Sequence, residues 1–551
     1  MADSSRARSA RASRVAVLWG GLALLSTPLV GQTPSDDARA GPYARLAIIN
    51  AMVIPGHGGP AYGPADIIVE GGVIHRIVSH NPLLGPPADL AEYGAERVID
   101  ATGMTVMPGL IDLHTHVRAE PLPLQYVYNL KLAHGVTTMV NGAGRGWEAA
   151  VEEQRRSDAN EITAPRMYPI ADWGPARSRD PGNAPPAPEI ARWHDPTLVD
   201  ELVSEVVGPA AEGKAHVVRI GSLAWNAALF EAVARAVDET GGITTVHLPP
   251  SDLPVVDAVR AAELGVTMIE HHYGFAEAAL GEAALPELPP SYNYLDEAQR
   301  FRQAGAVWDA VPEEALLGDV VDRLVASGVA LVPTMSTYEA NRDFNRAVGL
   351  PWHERYTHRQ LVDWYFPNPA YHASHHWNWT SKDEQRWAET FRKWQRLIRA
   401  FHDRGGHLSY AVDDPYIWNT SGIGNVRELQ LMHEAGLGPL EVIRAATYNS
   451  ARTLKRPDLG YVHTGRTADL IVVDGNPLEN LRYLYAFGAL DLTDEGEIVR
   501  RGGVRWTIKE GVVFDHRILV DEVLRMVEES KEGWVDPVDG LFDPVIGEGR
   551  R

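Results

Sequence analysis

The first candidate chemistry in this chain is a pair of histidines. His114-Thr115-His116 closes the apolar run VMPGLIDL. In an extended strand, residues i and i+2 point to the same face, so both imidazoles can reach one ion. Neutral imidazole is a good ligand for zinc or iron, with its nitrogen about 2.0–2.1 Å from zinc. A dication held there lowers the pKa of a water and polarises a carbonyl, which is hydrolytic chemistry. A His-x-His pair alone is a weak sign, because such pairs are common on surfaces and in cores. Its place at the end of an apolar strand, just after Pro108 and Gly109, makes it a candidate.

The elements that must carry this pair are legible around it. From Arg45 the text runs in short apolar stretches broken by Gly and Pro (LAIINAMVI, ADIIVEGGVIHRIV, RVIDATGMTVMPG), which read as strands and hairpins. Ile67, Ile68 and Val69 run together, so some of these strands are expected to be covered on both faces. From about residue 126, helix-like and strand-like stretches alternate, as in NAALFEAVARAVDETGG followed by ITTVHLPP and in DLPVVDAVRAAELG followed by VTMIEHH. Repeated units of this kind give a parallel sheet, and enough of them close into a barrel. After about residue 455 the β-like text returns in ADLIVVDG and EIVRRGGVRWTIKEGVVFD.

The expected fold is α/β, a (β/α)₈ TIM-type barrel with a small β-sandwich formed by the segments before and after it. The expected divisions are 1–31, 44–105 (first part of the sandwich), 106–454 (barrel), 455–516 (second part) and 517–551, a carboxyl-terminal helix and tail. Within the barrel an insertion at about 338–395 is dense in aromatics and histidine, including Trp352, Trp364, His375, His376, Trp387 and Trp394. It reads either as a lid or apolar substrate wall, or as an insertion packed on itself or on a second subunit.

RVIDATGMTVMPGLIDLHTH resembles the first barrel strand of the amidohydrolase superfamily, and PLEVIRAATYNSARTL…GYVHTGRTADLIVVDGNPL resembles its post-barrel helix and following strand. Together the two phrases frame most of the chain from about 45 to 515. The resemblance implies a metal centre at the carboxyl ends of the barrel strands, where such barrels assemble active sites. Strand five ends in His247, strand six in Glu270-His271 and strand eight in Asp413. The implied ligands are His114, His116, His247, His271 and Asp413, with Asp413 also taking a proton from the water and His271 as the second catalytic group. By residue type alone, His247 or His271 could equally be a satisfied buried histidine. Asp414 is the neighbour with which Asp413 could be confused.

One position departs from the family pattern. Many binuclear members carry on strand four a lysine, carboxylated to bridge two metals, and Arg219 stands there in HVVRIG. A guanidinium stays protonated and has no lone pair to give. The expected cofactor is therefore one divalent ion, Zn²⁺ first and Fe²⁺ or Mn²⁺ as alternatives, rather than two. Arg219 is expected to grip a substrate carboxylate or to pair with Asp413 or Glu270, and His272 to contact substrate. Mononuclear deaminases of the superfamily place a Glu shortly after the strand-five His. Here the first carboxylate after His247 is Asp252.

The bulk composition bounds the partners. A net charge of −22 argues against nucleic acid and anionic lipid. The absence of cysteine excludes a thiol nucleophile, a thiolate-bound zinc and a disulfide framework. Arg6, Arg8, Arg11 and Arg14 precede the apolar run Val15 to Leu25, too short for a membrane span of about 20 residues, so residues 1–31 read as an export signal and the protein as periplasmic or secreted. The expected partner is a small-molecule substrate, with no nucleic acid, no membrane after signal removal, and a homo-oligomer left open. The expected activity is hydrolysis of a C–N bond beside a carbonyl, in a cyclic amide, an N-acyl amino acid or a dipeptide, as in the imidazolonepropionase-like and dipeptidase-like branches. The alternatives are a deaminase, an ester or lactone hydrolase on the same site, and a non-catalytic exported binding protein.

Overall fold

A computed structural model describes residues 38–80, 93–117, 122–143, 146–172, 192–193, 195–220, 226–248, 256–281, 285–287, 292, 296–368 and 375–534. The export-signal segment 1–31, the end of the tail and Asp252 lie outside the described residues.

Eight parallel strands follow one another in chain order around a single sheet. They are β1 (Leu110–Val117), β2 (Val136–Ala143), β3 (Arg166–Asp172), β4 (Val217–Ile220), β5 (Ile243–Val246), β6 (Met268–Glu270), β7 (Ala330–Val332) and β8 (His407–Leu408). The chain just after β8 returns to β1. Leu113 donates its amide to Tyr410 O at 3.1 Å, Asp413 to His114 O at 2.8 Å and His116 to Asp414 O at 2.7 Å. The sheet therefore has no free edge along this seam, which sets His114 beside Asp413 and His116 beside Asp414.

Alternation with period 2 explains where the site sits. Val217, Ile243, Met268 and Ala330, one from each of β4 to β7, share an apolar layer with Leu113. Two residues further along, the same strand faces carry Arg219, Thr245 and Glu270, at the carboxyl end of the barrel. On β1 the register against β2 slips between Asp112 and Thr115, so the chain gives Leu113 to the apolar layer and still turns His114 toward the ring of strand ends.

The flanking segments form one nine-stranded sheet in which Leu470–Asp474, from after the barrel, pairs antiparallel with Met104–Pro108, from before it. This shared sheet is what the structure shows of the expected sandwich. Ala65 to Val69 are all buried, Ile67 and Val69 in one apolar cluster and Ile68 in another with Tyr93. Both faces of that strand are therefore covered, as the unbroken run of apolar residues implied. The helix His516–Ser530 follows the last strand of the sheet. Among the described residues no helix is long and apolar enough to cross a membrane.

Candidate metal centre

Four strand ends bring the cluster together. His114 and His116 come from β1, Glu270 and His271 from the end of β6, His247 from the residue after β5, and Asp413 from the chain beyond β8. His114 Nε2 lies 3.1 Å from His116 Nε2, and Asp413 Oδ1 lies 3.1 Å and 3.0 Å from those two nitrogens. His114, His271 and Asp413 offer ligand atoms within 4.8 Å of one another, and so do His247, Glu270 and His271. The imidazole of His247 stands 4.6 Å from that of His271, centroid to centroid.

Backbone strain accompanies this convergence. His271 (φ 67°), Thr334 (φ 54°) and Asp413 (φ 56°) all occupy the left-handed region just beyond β6, β7 and β8. Non-glycine residues hold such angles at a cost of about 1–3 kcal/mol each, and only where the surroundings over-determine them. The surroundings are visible here. Thr334 Oγ1 lies 2.7 Å from His271 Nδ1, and Thr337 Oγ1 donates to the carbonyls of Val412 and Asp413 at 2.8 and 2.9 Å. Glu428, fully buried, accepts from the amides of Met335 (2.9 Å) and Ser336 (2.6 Å), which fixes the turn that carries Thr334.

The residues present fit a divalent ion. Bonds of about 2.0–2.1 Å in a tetrahedron put neighbouring ligand atoms about 3.3 Å apart, close to the observed separations among His114, His116 and Asp413. His114 Nδ1 lies 2.8 Å from Glu270 Oε1, so this ring nitrogen donates and Nε2 keeps its lone pair for the ion. Glu270 Oε2 is buried and accepts no hydrogen bond. Burial alone would lower the His114 imidazole, but the carboxylates of Glu270 and Asp413 outweigh it and raise it to about 9. Burial raises Asp413 and Glu270, and neighbouring positive charge, that of His114 first, carries both well below the usual carboxylate range. The electrostatics thus demand a positive charge between these carboxylates, which a proton or a cation satisfies.

Arg219 lies 3.4 Å from the His114 ring nitrogens and 3.7 Å from Glu270 Oε2, which is the Glu270 pairing allowed for it. Asp414, next to Asp413, is turned away. Its carboxylate meets Thr115 Oγ1 at 2.5 Å and Lys131 Nζ at 2.6 Å. His272 is not brought to the cluster. Its ring is fully buried among Tyr273, Tyr338, Trp387 and Trp394, and neither nitrogen has a hydrogen-bond partner. The expected substrate contact is corrected accordingly. The left-handed turn at His271 sends successive side chains to opposite sides, one to the site and one into the aromatic insertion. That insertion packs on itself, with Trp387 and Trp394 buried on the helix Ser381–Asp403 and Tyr338 stacked 6.2 Å from Trp387. His375 and His376 both place Nε2 on Asn341 Oδ1, at 2.8 and 3.1 Å.

Glu270 is the site residue that sequence reasoning undervalued, treating it only as a possible partner of Arg219. Its signal was there in the alternation that puts Met268 and Glu270 on one strand face. Glu270→Gln is expected to weaken divalent-ion affinity about 10–100-fold, the usual cost of losing the partner that orients a ligand histidine. Competition titration with a chelating dye measures this, and an unchanged affinity removes Glu270 from the centre.

The fold and cluster together define a parallel barrel with a histidine–carboxylate centre at the carboxyl ends of its strands. The Amidohydrolase family matches residues 309–513. Local stretches are similar to curated proteins. There is 30% identity over 126 residues with an adenine deaminase of Bacillus subtilis (strain 168), covering 20% of this chain and 22% of that protein. There is 40% identity over 113 residues with an N-acyl-D-aspartate deacylase of Alcaligenes xylosoxydans xylosoxydans, covering 19% of each. The chain thus spans about a fifth of the length of these relatives. Over almost the whole fold it is similar to a Xaa-Pro dipeptidase solved with bound methionine in the active site, with a TM-score of 0.55, 19% identity, and 86% and 100% of the two chains covered. A bottromycin amidohydrolase matches with a TM-score of 0.55 at 19% identity, over 89% and 91%. Residues 309–513 of this chain are thus similar to the Amidohydrolase family, and the whole described fold is of the kind those solved structures share.

Proposed function

We propose that this protein is a metal-dependent hydrolase of C–N bonds beside a carbonyl, acting on a cyclic amide, an N-acyl amino acid or a dipeptide. The observation that carries this reading is the meeting of His114 Nε2, His116 Nε2 and Asp413 Oδ1 within 3.0–3.1 Å at the mouth of the barrel. The ion held there, when bound, activates a water and polarises the scissile carbonyl. Asp413 is the base. It accepts the water's proton and returns it to the leaving nitrogen. His271, hydrogen-bonded to Thr334, stands beside Asp413 with a ring nitrogen 3.8 Å from Oδ2, placed to steady the carbonyl oxygen. The deacylase and dipeptidase named above act on bonds of this class.

One ion, Zn²⁺ by its preference for this nitrogen–oxygen set, is supported by charge as well as by the missing lysine. Asp413 and Glu270 bring two negative charges and Arg219 one positive. A single dication leaves the buried set with one net positive charge, and a second would leave it with three. Desolvated excess charge of that size is costly. Arg219 takes the place of a second cation in balancing Glu270.

Elemental mass spectrometry of the purified full chain, beside a His114→Ala control, tests the reading together with a screen of N-acyl amino acids, dipeptides and cyclic amides for release of a free amine. About one metal equivalent, lost in the control, and amine release are the expected results. Two equivalents would overturn the single-ion reading. Ammonia release from an aminated ring would make the protein a deaminase, as the similarity to adenine deaminases allows. No metal after supplementation would leave the binding-protein reading.

A further inference from the structure

Between the sheet strands Leu470–Asp474 and Gly503–Lys509 the chain leaves the body of the protein as a two-stranded ribbon. Ala489–Leu492 pairs antiparallel with Ile498–Arg501 around a turn at 493–496, and no third strand joins it among the described residues. Cross-strand pairing puts Leu490 opposite Arg500 and Leu492 opposite Ile498, so these four side chains share one face. Leu490, Leu492 and Ile498 are 52%, 67% and 75% exposed, three of the seven large apolar side chains exposed among the described residues. An isolated two-stranded hairpin is marginal in water, and an apolar face with open edges is a pairing surface.

The ribbon also carries a charge gradient along its length. Asp494 and Glu495 lie in the exposed turn, while Arg500 lies toward the base on the apolar face. Such an arrangement is complementary to itself turned end for end. We propose that a second copy of this chain covers the ribbon, face to face and antiparallel about a two-fold axis. In that isologous contact Leu492 and Ile498 lie near the axis and pack on their symmetry mates. Each acidic turn meets the other copy's Arg500, which lies two residues, or about 7 Å, beyond Ile498 along the strand. An acidic protein or a membrane surface would satisfy the apolar face but would leave the acidic turn unpaired.

Sedimentation velocity on the full chain, with metal supplied, tests the proposal. Wild type is expected to be a dimer at about 10 µM, with a dissociation constant that rises with salt as the end-to-end charge pairs are screened. Leu492→Asp is expected to weaken dimerisation at least tenfold while circular dichroism stays unchanged, since the residue is exposed. Glu495→Arg and Arg500→Glu are each expected to weaken it, and an equimolar mixture of the two to recover a heterodimer. A monomeric wild type overturns the proposal. So does a dimer that Leu492→Asp leaves intact, or a mixture no more associated than its components.

Discussion

Asp413→Asn is expected to lower turnover by about 10²–10⁴-fold, the range that a positioned acid–base group supplies, with the fold intact. The substitution keeps the shape and one acceptor oxygen. The backbone that carries Asp413 is held independently of its carboxylate, by the amide bond to His114 O at 2.8 Å and by Thr337 Oγ1 on its carbonyl at 2.9 Å. The negative charge and the ability to shuttle a proton are lost, and both are needed at an oxygen within 3.1 Å of two imidazole nitrogens. Steady-state kinetics and a thermal melt on the same preparation separate the effects. A normal melt with undiminished turnover would take Asp413 out of the reaction. A collapsed melt would make its role structural, and comparison with Asp413→Glu, which keeps the charge, would then decide.

The second large effect is expected away from the reacting atoms, at the seam of the barrel. Lys131, on the helix Leu124–Ala133, is fully buried, and its ammonium donates to Asp112 at 2.7 Å, Asp414 at 2.6 Å and Asn425 at 2.9 Å. Burial disfavours the Lys131 charge, but the two carboxylates outweigh it and hold the group protonated, while burial raises Asp112. Gly422 makes room for this arrangement. With φ 73° it sits so close to Leu130 that a Cβ would lie 2.2 Å from the carbonyl oxygen, and the helix that starts there brings in Asn425. Asp112 also accepts from the amides of His114 and Val412, both at 3.2 Å, so the cluster ties β1 to the chain after β8.

Lys131→Met leaves two buried carboxylates without a cation and is expected to cost about 3–5 kcal/mol, read as a lower urea midpoint. Metal affinity should fall with it, because His114 and Asp413 sit on the two sides of the seam. Replacing the whole set with neutral residues (Lys131→Met, Asp112→Asn, Asp414→Asn) is expected to recover much of the loss, since a buried ion set is often worth little more than its neutral counterpart. A loss below about 1 kcal/mol for Lys131→Met would mean that water reaches the cluster.

Much of this was readable from one dimension, for definite reasons. The barrel strands announce themselves because they are short, mostly buried stretches rich in apolar and β-branched residues, bounded by helices with their own period. The His-x-His pair is local in sequence, and its partners lie at strand ends that can be counted off in order. The seam cluster escaped that reading. Lys131 lies 19 residues from Asp112 and 283 from Asp414, and in the text it is an ordinary lysine on a helix. Its burial is visible only once β8 returns to β1.

Residue types and their order were enough to say which side chains have lone pairs to offer, that Arg219 has none, and that the chain before and after the barrel is alike in kind. Periodicity and residue type are local properties, so these conclusions needed no folding. The tertiary structure alone decided how neighbours divide their labour. Asp413 faces the imidazoles while Asp414 faces Lys131, and His271 faces the site while His272 lies among tryptophans. Strict alternation can send neighbours to opposite sides but cannot say which goes where. Here that choice rests on left-handed backbone angles at His271 and Asp413, which side chains distant in sequence hold in place.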